Sequence, residues 1–193
     1  MRKHFMKIVA IAFAFSMAAA ITLSAQTDEP DYSSLFPQSL PGWTAGKVDV
    51  KTIKQQFGGL PVRRIQLVRE YTSDKSNSQV EIVIDSFDIP GSTLIDAAHT
   101  DQKTLADLKG KAKLHDLRGN KGLELYDERS NLQGVSVHIE DAEKASKASP
   151  MLVLAVMRKN ASVEELMSYV ERVDLEKIRA FPWDLFKDVP PLF

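Results

Sequence analysis

The chain has 193 residues, 44% of them hydrophobic and 26% charged, with 25 basic against 26 acidic side chains. That length suits one ordinary domain, and the composition is globular rather than disordered. There is no cysteine, which excludes disulfides, thiolate metal sites, a cysteine nucleophile and a lipidated N-terminal cysteine.

The N-terminus carries Arg2, Lys3 and Lys7 and no acid, then an apolar run of 16 residues from Ile8 to Leu23, broken only by Ser16 and Thr22. Leu23-Ser24-Ala25 follows. A basic start, an apolar middle and a small-residue cut site read as a secretory signal peptide over residues 1–25. The run is short of the ~20 residues that span a bilayer, so no stable anchor remains once it is cut. Ala18-Ala19-Ala20 offers a second cut. The pattern is that of a bacterial export signal and implies the periplasm. Cleavage after Ala25 removes three of the 25 basic residues and none of the acidic ones, leaving 22 against 26 and a net charge of −4. A mildly acidic chain is a poor nucleic-acid binder.

Residues 26–34 are polar and acidic and read as a flexible lead-in to a single domain at 35–180. Leu40-Pro41-Gly42-Trp43 is turn chemistry beside a tryptophan that plugs one end of the core. Residues 45–50 are a weak strand candidate. In residues 62–71, Ile65, Leu67 and Tyr71 alternate with Arg64, Gln66 and Glu70. In residues 80–87, Val80, Ile82 and Ile84 alternate with Glu81 and Asp85. Both read as half-buried antiparallel strands joined by a polar hairpin loop at 72–78. After Pro90-Gly91-Ser92, the stripe Leu94, Ala97, Ala98, Leu105, Leu108 predicts one helix or two short ones ending by Gly110.

Strands are predicted at 112–117 and 123–128, around a turn at 118–122 whose Arg-Gly-Asn-Lys-Gly sequence is a strong signal. Another is predicted at 134–140, where Val135, Val137 and Ile139 alternate with Ser136, His138 and Glu140. Residues 151–157 are apolar on both faces and predict a central strand covered on both sides. Ser162-Val163-Glu164-Glu165 is a capping box opening a helix, and Asp174 can cap another turn. The fold class is therefore α+β: a single antiparallel sheet of about six or seven strands with two main helices packed on it.

This order, with Leu40-Pro41-Gly42-Trp43, the 113–126 hairpin and the apolar strand 151–157 leading into the capped helix at Ser162, resembles the PsbP-like fold, including bacterial DcrB-type periplasmic proteins. The resemblance covers residues 35–178. It implies an accessory or binding protein, of a kind often attached to a larger membrane assembly, with no shared catalytic residues. DcrB-type proteins look like lipoproteins, and the absence of cysteine here prevents that anchoring from carrying over.

Four groups could carry chemistry. His138 and Glu140, two apart on a strand, could approach His115 and Asp116 to hold a metal or form an acid–base pair; the alternative is two unrelated polar faces turned to water. His99, with Asp96 and Lys103, reads as the polar face of a surface helix. Lys109, Lys111 and Lys113 make either a cationic docking edge or an edge strand guarded against aggregation. Arg63, Arg64 and Arg69 read as cross-strand ion-pair partners of Glu81 and Asp85.

The tail at 181–193 holds Phe181, Trp183, Phe186 and Phe193 among three prolines, and either docks in a partner groove or folds back on the sheet. Hydrolase elbows, zinc helices, phosphate loops and dinucleotide fingerprints are absent, and no cofactor is implied. The leading expectation is a non-enzymatic exported accessory or protein-binding protein with a partner in the cell envelope. Alternatives are a small-ligand carrier with a pocket near Trp43, and a metal-dependent hydrolase.

Overall fold

The computed structural model describes residues 31–57, 60–87, 94–129, 131–139 and 151–183. The expected signal segment lies outside them, as do Glu140, Phe186 and Phe193. Seven strands follow in chain order: β1 (Trp43–Phe57), β2 (Leu60–Ser73), β3 (Gln79–Phe87), β4 (Ala112–Leu117), β5 (Asn120–Tyr126), β6 (Leu132–Ile139) and β7 (Met151–Lys159). Helices α1 (Leu94–Thr100) and α2 (Gln102–Asp107) separate β3 from β4, and α3 (Val163–Arg172) and α4 (Leu175–Ala180) follow β7.

The strands form one sheet in the order β1-β2-β3-β7-β6-β5-β4, every neighbouring pair antiparallel. β7 lies in the middle, as its two apolar faces require.

Alternation sorts side chains onto two faces. On one, Leu67, Ile84, Leu154 and Val137 stand in one cross-strand row. They pack with Leu166, Tyr169, Val170, Leu175 and Ile178 of α3 and α4 in the main core. Ser162 caps α3: its hydroxyl accepts from Glu165 N–H at 3.1 Å, and the Glu165 carboxylate accepts from Ser162 N–H at 2.7 Å. Asp174 caps α4 by accepting from Lys177 N–H. On the opposite face, α1 covers Leu123 with Ile95 and Ala98, and Leu108, at the C-cap of α2, joins them.

Three expectations change. Four short helices, a pair on each face, replace two main ones. Asp101 ends α1 and caps α2 through Lys103 N–H, which breaks the stripe in two. The β4–β5 turn is only Arg118-Gly119, both with positive φ (53° and 80°). Such a two-residue turn matches the strand twist, so β5 starts at Asn120 and takes in Gly122. β1 runs far past residue 50, because an edge strand paired along β2 needs little apolar alternation of its own. The chain also packs before residue 35: Tyr32 opens a 3-10 turn (Tyr32–Leu35) and lies in the main core.

Candidate interaction surface

The β1–β2 hairpin is longer than the sheet it joins. β3 pairs with β2 only from Arg64 to Thr72. Beyond that, Gln55↔Val62, Gln56↔Pro61 and Phe57↔Leu60 pair with one another alone. The backbone of 54–57 and 60–63 is thus a two-stranded arm. Its outer N–H and C=O groups meet no other described strand, and a bare ribbon of this kind is a template for further pairing. Residues 43–73 hold six basic residues and two acidic ones, although residues 26–193 together are net negative. Two of the six, Lys54 and Arg63, belong to the arm sequence, which has no acid.

The root of the arm is pinned by a buried ion pair on the α1/α2 face. Arg64 is 2% exposed. Its Nε and Nη2 donate to the Asp85 carboxylate at 2.6 and 2.8 Å, and Gln66 donates to the same carboxylate at 3.2 Å. The guanidinium lies 5.3 Å from the Phe87 ring centroid. Burial raises the Asp85 carboxyl above its ordinary pKa, and the Arg64 bonds oppose that rise. A fork meeting a carboxylate in this geometry fixes orientation as well as charge. The expected pairing of the 63–69 arginines with β3 is realised at Arg64. Arg69 instead donates to the backbone carbonyls of Gly46 and Ser33, tying β1 and the 3-10 turn to β2.

The histidines do not converge. His115 stands opposite Gly122, which stands opposite Val137. His138 is one residue further on and therefore points to the other face. His115 Nδ1 lies 3.2 Å from the Glu124 carboxylate. His138 Nδ1 lies 2.9 Å from Asp96 on α1, whose carboxylate also meets Lys121 at 3.6 Å. Asp116 accepts from Gly119 N–H in the turn. The sheet separates the two imidazoles expected to share a site, and no group of three or more metal-ligating side chains occurs among the described residues. His99 is not merely a surface residue: its Nε2 lies 2.7 Å from the Gly122 carbonyl oxygen, fastening α1 to β5.

Around Glu124, Lys113 donates at 3.0 Å and Tyr126 donates from its hydroxyl. Burial acts to raise this carboxyl, but the bonds from Tyr126, Lys113 and His115 outweigh it and hold the pKa below the ordinary glutamate value. Lys113 thus sits on the β4 edge, paired to the neighbouring strand.

The aromatic residues at the two ends of the domain face inward. Trp43 meets Tyr169 edge-on at 5.6 Å. Trp183 is 8% exposed and its Nε1–H donates to the Ile178 carbonyl at 2.8 Å. Phe181 lies between Trp183 and Tyr32, at 5.0 and 5.7 Å. Trp183 is therefore part of the core and Phe181 packs against it, while Pro182 between them is exposed. No described helix is long and apolar enough to cross a membrane. Alternation shows neither the arm nor the burial of Arg64; the absence of acids between Lys51 and Arg69 is the signal that could have pointed there.

Comparison with protein-family models, with curated proteins and with solved structures finds no match.

Proposed function

We propose that this chain is an exported, non-enzymatic accessory protein of the bacterial cell envelope that binds an acidic, extended segment of a protein partner through the β1–β2 arm. The observation that carries the reading is the arm itself: a basic two-stranded ribbon reaching past the sheet, with its root clamped by Arg64 and Asp85. Strand addition to such an edge supplies affinity through main-chain hydrogen bonds, and the basic side chains select the charge of the incoming segment. Export rests on the basic start and apolar run of residues 1–25. An accessory role is also what the resemblance of the sequence to the PsbP-like fold implies.

The test is crosslinking in intact envelopes, comparing the whole protein with a variant in which Asn-Gly replaces residues 55–62. Among the described residues the arm pairs only with itself, so the trimmed chain keeps the seven-stranded sheet. One stoichiometric envelope protein on the whole chain, absent from the trimmed one, is the expected result. Identical companions on both, or none on either, overturn the proposal.

A further inference from the structure

β1 is an edge strand, and no described residue pairs with its outer side. Past a bulge between Ala45 and Val48, its ladder with β2 is regular from Val48 onward. Long regular edges are ordinarily broken by proline, by further bulges or by lysines; from Val48 to Phe57 this one has neither proline nor bulge, and its Lys51 is matched by Asp49 two residues away. In the regular stretch stands Val50, 36% exposed, one of three exposed large hydrophobics among the described residues. Its neighbours Asp49 and Lys51 lie together on the other face, their charged atoms 3.1 Å apart.

We propose that a second copy of this chain pairs antiparallel along the outer edge of β1, about a two-fold axis at Val50. An axis perpendicular to the sheet keeps every side chain on its own face, so facing residues must be an even number of positions apart. Centred on Val50, the register sets Asp49 of each protomer against Lys51 of its partner, twice, and Val48 against Thr52. The two Val50 side chains meet at the axis. The adjacent registers fail. An axis at Asp49 or at Lys51 opposes like charges across the seam, and one at Val48 runs the ladder into the bulge. The β4 edge is not self-complementary in this way: an axis at its exposed Leu114 opposes Lys113 with His115. Pairing at β1 joins two seven-stranded sheets into one of fourteen.

This inference goes beyond the accessory role and does not depend on it, because the arm-trimmed chain keeps Trp43 to Ile53. Sedimentation equilibrium of the purified protein, from low micromolar to submillimolar concentration, should show a monomer–dimer equilibrium that the trimmed chain shares. Asp49→Lys and Lys51→Glu each reverse both cross-seam pairs and should weaken association about tenfold. Both side chains are substantially exposed, at 61% and 39%; because Lys51 also acts on Glu81, thermal melts of both variants should first show an intact fold. Mixing the two single variants should restore association as a heterodimer, since a copy with cations at both positions then faces a copy with acids at both. Val50→Asp, which puts two like charges on the axis, should abolish association by itself. A monomer at every concentration overturns the proposal. So does a dimer indifferent to these substitutions, or a mixture that fails to recover.

Discussion

Both faces of the sheet hold buried side chains, but by different means. Under α3 and α4 the packed side chains are aliphatic and aromatic almost throughout. Such a face is held by many interchangeable contacts, each worth little alone. The opposite face holds a smaller apolar cluster under α1 and α2, and beside it the Arg64–Asp85–Gln66 group on β2 and β3. There, burial is sustained by one geometry. The difference teaches where single substitutions are tolerated. The helix face should degrade in proportion to the volume removed, whereas the charged face should fail when either partner is removed alone.

The largest effect is expected at Arg64→Ala, which leaves a carboxylate buried without its fork. Urea denaturation should show a loss of about 3–5 kcal/mol. Replacing both partners, Arg64→Met with Asp85→Leu, should recover most of it, because the charge is then removed rather than orphaned. If the double variant is as unstable as the single one, the two faces do not differ as described. Leu154→Ala, on the central strand of the helix face, should cost about 3 kcal/mol by the same assay through the cavity it leaves.

Ser162→Ala removes one side of the α3 capping box and should cost about 1 kcal/mol. The smallest effect is one of pH. Glu81 stands directly opposite Glu70, and burial, with that neighbour, raises its pKa although Lys51 opposes the rise. The folded chain therefore holds this proton more tightly than the unfolded one, and stability is lost as pH climbs above the ordinary glutamate range. Glu81→Gln should be the more stable protein at neutral pH by about half a kcal/mol, with the difference vanishing in acid. Thermal melts across that range decide it.

Much of the architecture was legible because burial on one face writes itself as period two: β2, β3 and β6 could be found that way, β7 by a run apolar on both faces, and the α3 cap is a local signature. The departures have physical causes. Arg64 and Gln66 read as solvent-facing because a charge in a polar row carries no mark of burial. What buries them is register, which sets Gln66 opposite Asp85, nineteen residues away, and Arg64 diagonal to it. His115 and His138 read as possible partners because spacing along two strands says nothing of parity between them. The two-residue turn at Arg118-Gly119 and the β5–β6 pairing set that parity and put them on opposite faces. β1 was faint because its hydrogen bonds, not its side chains, hold it in place.

β7 is the last of the described strands to be made and the middle one in space. β1–β3 and β4–β6 are two three-stranded meanders, each formed from consecutive segments, and only β7 joins them, through Val80–Phe87 on one side and Gly134–Ile139 on the other. Until residue 159 is available, the half-sheets are separate bodies, each with a raw apolar edge. Closure is therefore a late, long-range event and a slow one. A chain that stops before residue 151 does not yield a smaller version of the protein. It yields two sticky half-sheets, prone to pair with those of other chains. A chain delivered N-terminus first must be shielded from its own kind until its last strand arrives.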